Sequence, residues 1–284
     1  VTSIVIPAHN EARVIGRLLD SLLADSSEDE DETDIVVVCN GCTDDTARIA
    51  TARGPRVRVV EIPVPSKHAA LRAGDDHAHG FPRVYVDADV VITGADVRAL
   101  TEPLHDDASG VLATAPERQI PLDACAWRVR AYYQVWQRLP AVREGLFGRG
   151  VIAVSKAGHA RIAALPPLMA DDLAASLAFA PQERLVVGAA RVVVHPPRTW
   201  PDLIKRRIRA AVSTAQVERH QSPEEASART SKADLTGLLR REPKLFMGVV
   251  VFVAAAVVAR RRAGKAIRAQ DFGTWLRDES SRQT

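Results

Sequence analysis

Cysteine is scarce: Cys39, Cys42 and Cys125 are the three in 284 residues. A small, odd count beside a core of this size excludes a disulfide-stapled scaffold and fits a reducing compartment. Cys39 and Cys42 share a Cys-x-x-Cys spacing. No second pair and no nearby His cluster accompanies them, so they read as two semi-buried thiols. Excess charge is also lacking. The formal net charge is +3, and no Arg/Lys stripe interleaves with aromatics, so no nucleic acid partner is expected. No Gly-x-Gly-x-x-Gly follows the first apolar run, which disfavours a dinucleotide cofactor. No Gly-x-x-x-x-Gly-Lys-Ser/Thr occurs, which disfavours a P-loop phosphotransferase. The chain opens on a strand pattern rather than on a signal peptide.

What is present reads as globular. Hydrophobic residues make up 46% and charged residues 26%. The length suits one large α/β domain, alone or with an appendage. The 17 Pro and 16 Gly suit many short loops. Ala, Arg, Val and Asp are used over Lys and Ile, the habit of a GC-rich genome.

Ser3-Ile4-Val5-Ile6-Pro7 is apolar without alternation, a buried strand of parallel type. The turn Pro7-Ala8-His9-Asn10-Glu11 follows. Val14, Ile15, Leu18, Leu19, Leu22 and Leu23 then recur at helical spacing. The acidic run Glu28 to Glu32 reads as a solvated loop. Ile35 to Val38 is a second strand. Asn40-Gly41-Cys42-Thr43-Asp44 is a turn that opens a helix, with Thr43 or Asp44 as the expected N-cap. Val57 to Ile62 is a third strand, Lys67 to Ala78 a helix and Val84 to Val86 a fourth strand. Strands and helices alternating at this spacing imply right-handed crossovers and a parallel sheet.

Ligands of such sheets sit beyond the carboxyl ends of the strands. Three polar turns are expected at that edge: His9 to Glu11, Cys39 to Gly41, and Asp87-Ala88-Asp89. In an extended backbone Asp87 and Asp89 point to one side. Paired carboxylates of this kind suit Mg²⁺ or Mn²⁺ with phosphate completing the coordination. A solvated turn is the competing reading of the two acids alone.

Four segments together resemble the family-2 glycosyltransferases of the GT-A fold, of bacterial and in particular actinobacterial type. They are Ile4 to Glu11, Val36 to Thr46, Ser66-Lys67-His68-Ala69-Ala70-Leu71-Arg72-Ala73-Gly74, and the Asp-x-Asp at Asp87 to Asp89. They fall in the family's order over residues 3–90. The resemblance implies a Rossmann-like, mostly parallel sheet flanked by helices. It also implies inverting transfer of a sugar from a nucleotide diphosphate with Mn²⁺ or Mg²⁺. By resemblance Asp89 coordinates the metal, while Asp87 contacts the ribose or a metal-bound water. Pro7, Ala8, His9, Asn10 and Glu11 hold the nucleoside, with Ala88 in the Asp-x-Asp beside them. Cys39 and Asn40 stand where the family often has two acids, with the Asn40 amide left to read a base. Lys67 lies near the base or the diphosphate, or is a solvated helix lysine.

Thr93-Gly94-Ala95-Asp96 starts a further helix. Gly110 to Thr114 reads as a strand and Asp123 to Arg138 as a long helix. Its aromatics Trp127, Tyr132, Tyr133 and Trp136 either line an acceptor site or pack. Gly148-Arg149-Gly150, leading into an apolar strand, resembles the family's Gly-rich loop under the acceptor. Asp171-Asp172 opens a helix and reads as an N-cap or, by resemblance, as the family's acid pair. In the second case Asp172 is the base that takes the acceptor proton and Asp171 stands in for the Glu. Val186-Val187 and Val192 to Val194 read as a hairpin leading to His195, either a third metal ligand or a loop histidine. Lys205, Arg206, Arg207 and Arg209 form a basic helix that suits a diphosphate, Arg206 and Arg209 above all. It lacks the Gln and Trp of the family's processive members, which argues for single-sugar addition.

The expected organisation is a GT-A domain over 1–220, with nucleotide half 1–90 and acceptor half 91–220. A mobile loop at 221–233 and a helical extension over 234–284 follow, the end reading as a short helix and frayed terminus. Residues 245–259 form a 15-residue apolar run flanked by Arg240, Arg241 and Lys244 and by Arg260 to Arg262. A span needs about 20 such residues. Three readings stand: a helix buried against the domain or a homodimer partner, an interfacial or membrane-inserted anchor, and a true span. The basic flanks suit the anionic inner face of a cell membrane. The expected partners are a nucleotide-diphosphate sugar and a hydroxyl acceptor, saccharide or lipid-linked, met in the cytoplasm. The alternatives are a non-catalytic nucleotide-sugar-binding protein on this fold, or a sugar nucleotidyltransferase, whose Gly-x-Gly-x-Arg loop is missing.

Overall fold

The computed structural model describes residues 1–24, 33–165, 171–220, 230–268 and 280–282. The acidic run Glu28 to Glu32, residues 221–229 of the expected loop, Pro166 to Ala170 and most of Phe272 to Thr284 lie outside the described residues. So do the side chains of Asp171 and Asp172. In chain order the elements are β1 Thr2–Ala8, α1 Ile15–Leu23, β2 Thr33–Asn40, α2 Thr46–Thr51, β3 Val57–Ile62 and α3 Lys67–His77. Then come β4 Arg83–Val86, β5 Val90–Val91, α4 Gly94–Thr101, β6 Ala113–Gln119, α5 Trp127–Trp136 and α6 Pro140–Glu144. Last are β7 Val151–Val154, α7 Lys156–Ala163, α8 Asp171–Leu177, β8 Arg184–Val194, α9 Trp200–His220, α10 Lys232–Arg241 and α11 Phe246–Arg268. The chain divides into two compact units. One comprises 1–119, 146–167 and 178–194, the other 120–145, 168–177 and 195–284.

The first unit is built on one sheet of strand order β3-β2-β1-β4-β7-β6-β8-β5. The strands β3, β2, β1 and β4 run parallel, as the alternation of strand and helix predicts. Beyond β4 the direction changes: β7 is antiparallel to both β4 and β6. Ile4, Val5 and Ile6 are at most 1% exposed, so both faces of β1 are covered. Burial of such side chains contributes about 1.5–3 kcal/mol each. Ile15, Leu18, Leu19 and Leu22 form the buried stripe of α1 against this sheet. The helix α4 starts with a complete capping box between Thr93 and Asp96, as the local sequence predicts.

Three local expectations are corrected. The strand expected over Gly110 to Thr114 starts later and runs further. Gly110 sits in the left-handed region at the end of a short 3-10 turn, and β6 starts at Ala113. The expected hairpin at 186–194 is one strand, β8, paired parallel to β6. Gly188-Ala189-Ala190 carries no turn chemistry. It is absorbed as a bulge, the register passing from Pro116↔Val187 to Glu117↔Arg191. The cap of α2 is Asp45 by position, although Asp44 still accepts from the Thr46 amide at 3.0 Å.

The second unit is helical. The helix α11 lies on α9 and α5, and Phe252 stacks on Tyr132 with ring centroids 5.1 Å apart. Tyr132 and Tyr133 are therefore packing residues, 2% and 5% exposed. Helix α5 begins at Trp127 rather than Asp123. Ser231 caps α10 with Asp234 as its reciprocal partner, so the expected loop ends at that point.

Candidate functional site

The parallel strands bring their carboxyl ends to one rim. Ala8 is level with Cys39, and Val5 with Tyr85, and Asp87 follows the last residue of β4. The first two turns are joined by hydrogen bonds. His9 Nδ1 donates to the Asn40 carbonyl at 2.6 Å. Asn10 has φ 53, a conformation few side chains tolerate. Its side-chain oxygen accepts from the Thr43 amide at 2.8 Å. The Glu11 amide donates to Thr46 Oγ1 at 2.8 Å, and the Ala12 amide to Asp44 Oδ2 at 3.1 Å. The strained residue is thus fixed from several sides, as at ligand-holding turns.

Two donor-side expectations change. Asn40 is 3% exposed and its side-chain amide donates to the Ala8 carbonyl at 2.9 Å. Its amide is turned inward to hold the two turns together and is not offered to a base. Cys39 is 1% exposed, and burial, with Cys42 next to it, pushes its thiol up to about 12. Cys39 is a core residue and Cys42 is half-buried, as expected of two semi-buried thiols. Pro7 and Ala8 are buried and Glu11 is 9% exposed. Of these, Pro7 and Ala8 reach a ligand through backbone at most.

Asp87, Ala88 and Asp89 do not continue the strand. They form a turn closed by the Val90 amide on the Asp87 carbonyl at 3.3 Å. The shared orientation expected from an extended backbone is replaced by a turn with Ala88 buried, 4% exposed, and both acids half-buried. Lys67 Nζ donates to Asp87 Oδ1 at 2.7 Å. Lys67 is therefore not a solvated helix lysine. Beneath the turn, the Asp87 amide donates to the Gly150 carbonyl at 2.7 Å. Gly150 has φ +67, and a Cβ there would stand 2.5 Å from Val90 Cγ1 and 3.4 Å from Asp87 Oδ2. Only glycine accepts both that φ and that approach.

Arg149, expected on the acceptor side, is buried. It is 2% exposed, and its Nη1 donates to the Pro116 carbonyl at 2.9 Å. Burial lowers its pKa to about 10, with Glu117 opposing the shift. It braces the Gly148–Gly150 loop against β6 from within. Gly148 also has a positive φ.

One rim residue escaped the sequence reading. Arg17 on α1 has Nε and Nη2 buried with no hydrogen-bond partner among the described residues. Burial lowers its pKa, and the Asp89 carboxylate raises it. A cation held near an acid with unspent donors suits an anionic ligand. The only sequence signal is a charged residue in the first turn of α1, next to the apolar stripe.

The remaining candidates belong to the second unit. His195 is half-buried, follows Val194 directly in the chain, and its carbonyl accepts from Arg206 Nη1 at 3.3 Å. Arg206 and Arg209 lie on α9. Trp127 is 54% exposed, with the Arg128 guanidinium 5.5 Å from its ring centroid. The backbone of Asp171 and Asp172 forms the first turn of α8. Among the described residues no three His, Cys, Asp or Glu side chains form a metal cage. Hard carboxylate oxygens at Asp87 and Asp89 still fit Mg²⁺ or Mn²⁺. These ions keep waters and take substrate phosphates to complete their shell.

Residues 3–160 match the family model described as Glycosyl transferase family 2. Over 97 residues the chain is 37% identical to dolichyl-phosphate beta-glucosyltransferase ALG5C of Trichomonas vaginalis, covering 31% of this chain and 29% of that protein. Over 99 residues it is 35% identical to 4,4'-diaponeurosporenoate glycosyltransferase of Staphylococcus aureus, covering 33% of this chain and 25% of that protein. The match spans less than a third of either relative. Among solved structures, a mannosyltransferase from Pyrobaculum calidifontis in complex with GDP-Man and Mn²⁺ aligns with a TM-score of 0.60 at 20% identity. That alignment covers 99% of this chain and 84% of the other. Glucosyl-3-phosphoglycerate synthase from Mycobacterium tuberculosis, with Mn²⁺, UDP-Glc and phosphoglyceric acid, aligns at 0.55 and 23% identity, covering 76% and 79%.

Proposed function

Because the chain belongs to glycosyl transferase family 2 and has a GT-A fold, we propose that it transfers one sugar from a nucleotide-diphosphate donor to a hydroxyl acceptor, inverting the anomeric carbon. The observation that carries this reading is the joined rim of the first unit, where three strand-end turns are hydrogen-bonded to one another or to the Gly150 loop.

In this reading His9 to Glu11 hold the nucleoside against the strained Asn10 turn. Lys67 fixes the rotamer of Asp87 toward the nucleotide side. Asp89 and Asp87 would hold Mn²⁺ or Mg²⁺, with His195 as a further candidate ligand. Bound there, the ion would neutralise charge growing on the departing diphosphate. Arg17 adds a cation on the Asp89 side, and Arg206 and Arg209 are the candidate diphosphate cations of the second unit. Asp172 takes the proton of the acceptor hydroxyl as that oxygen attacks the anomeric carbon, with Asp171 beside it. The departing group is the nucleoside diphosphate. The proton ends on Asp172, so one carboxylate is sufficient and no acid–base pair of the hydrolase kind is needed. Gly148, Gly150 and Trp127 are proposed to border the acceptor. The absence of the Gln and Trp of processive members supports single-sugar addition.

The test is calorimetric binding of UDP, GDP and dTDP with and without Mn²⁺, on the parent and on Asp172→Asn. Metal-dependent binding of at least one nucleotide is expected. Asp172→Asn should keep that binding while transfer falls about 10²–10⁴-fold. If no nucleoside diphosphate binds in a metal-dependent way, the reading fails. Should Asp172→Asn lose binding instead, Asp172 is not the base.

A further inference from the structure

Helix α11 has two apolar faces, and only one is covered. Val249, Phe252, Ala255, Ala259 and Ala263 are buried at steps of three and four, the face laid on α5 and α9. Gly248 permits the close approach, since a Cβ there would lie 3.2 Å from the Ala131 carbonyl oxygen. On the opposite side Phe246 and Met247 are each 59% exposed, Val250 47%, Val253 41% and Val257 42%. Scattered single exposures need no explanation, but five large apolar side chains along three turns of one helix form a patch.

The patch has a charge pattern. Lys244 precedes it, and Arg260, Arg261 and Arg262 follow, all exposed. Arg260 and Arg261 come three and four residues after Val257, so they continue the same stripe. No Asp or Glu occurs from Pro243 to Arg268. We propose that this face of α11 docks on an anionic lipid bilayer, with Phe246, Met247, Val250, Val253 and Val257 in the acyl boundary and Lys244, Arg260 and Arg261 at the headgroups.

Geometry favours lying over crossing. From Phe246 to Val257 the stripe runs about 16 Å at 1.5 Å per residue, roughly half the hydrocarbon thickness of about 30 Å. The buried opposite face is already spent on α5 and α9. An in-plane helix with cationic ends and an apolar lower face is the form that binds membrane interfaces. Charge disfavours a second copy as the occupant. Both ends of the stripe are basic, so either a parallel or an antiparallel pairing sets cations against cations without a carboxylate between them. An anionic headgroup layer supplies the missing counter-charge. Docking holds whichever sugar is transferred, and it does not rest on the reaction read from the first unit.

Vesicle flotation of the full chain tests this. It should float with phosphatidylcholine vesicles containing roughly 30% phosphatidylglycerol and much less with phosphatidylcholine alone. About 0.5 M NaCl should weaken binding. Arg260→Gln with Arg261→Gln removes two cations at about fivefold each, so affinity should fall roughly 25-fold. Val250→Asp with Val253→Asp should abolish flotation. These four side chains are exposed, so the thermal midpoint should hold; if the Asp pair fails to fold, the Gln pair decides. No flotation with anionic vesicles, or undiminished binding of the Gln pair, overturns the proposal. So does a dimer in sedimentation that the Asp pair dissolves, which would make a second copy the occupant.

Discussion

The two acids of the Asp-x-Asp have different surroundings. Asp87 accepts from Lys67 at 2.7 Å, in a pair whose side chains are 34% and 38% exposed. Pairs that open to solvent contribute roughly 0–1 kcal/mol, so this one matters for orientation more than for stability. Asp89 instead feels the half-buried Arg17 cation. An expected outcome separates them. Asp89→Asn should make nucleoside diphosphate binding indifferent to Mn²⁺ and lower transfer by about 10²-fold or more, with little change in urea midpoint. Titrating nucleotide into the variant at several Mn²⁺ concentrations checks it. A variant that still responds to Mn²⁺ like the parent would move the metal away from Asp89.

At the scale of elements, the site depends on how loops are clamped to strand ends. The turn after β1 is held by β2's turn through Asn10, Glu11 and Ala12. The Asp-x-Asp turn is held by the loop before β7 through Gly150. Gly150→Ala would force a Cβ onto Val90 at φ +67, a cost of about 1–3 kcal/mol. Because the same Cβ presses on Asp87, nucleotide affinity should fall with stability. Gly188→Ala is the control. A Cβ there meets nothing within 4 Å, so its effect should stay within about 0.5 kcal/mol. Thermal melts and nucleotide titrations of the two variants make the comparison; equal behaviour would remove Gly150 from the clamp.

At the scale of the whole molecule, stability should show an acid limb set at the end of β4 away from the site. Arg83, 4% exposed in its side chain, pairs with Asp75 at 2.6 Å. The Tyr85 hydroxyl donates to Asp75 at 2.9 Å, and His159 lies 3.3 Å away. Burial alone would raise the Asp75 pKa, but the adjacent His159 ring, the bond from Tyr85 and the charge of Arg83 hold it below the usual range. A depressed carboxylate stabilises the fold above its unfolded value of about 3.9 and loses that contribution as pH falls through the folded value. Asp75→Asn should cost roughly 3 kcal/mol at pH 7, since Arg83 keeps its buried charge without a counter-charge. The gap between parent and variant should narrow as pH falls from about 7 through the folded value of Asp75. Urea midpoints at about pH 7 and along the acid limb measure it, and a gap independent of pH would refute the assignment.

Local pattern was enough for much of this protein. Short unalternating runs such as Ile4 to Ile6, ended by Pro7, read as buried strands, because both of their faces are apolar. The spacing of Val14 to Leu22 can only be a helix with one covered face. Four short motifs in order fixed the GT-A fold, and Thr93 with Asp96 declared a helix start, because capping is settled within four residues. Other features depend on what neighbouring elements do to a side chain, and these the sequence leaves open. Asn40 turns inward because Ala8 offers a carbonyl. Arg149 is buried because β6 offers Pro116, and the Asp-x-Asp becomes a turn because Gly150 lies beneath it. The Val186 to Val194 segment is one strand because β6 pairs along it. The first part of helix α11, up to Ala259, is apolar all round in sequence, and only packing on α5 and α9 tells which face is core and which is left uncovered. Periodicity records how much apolar surface an element has, whereas contact partners, distant along the chain, decide where that surface goes.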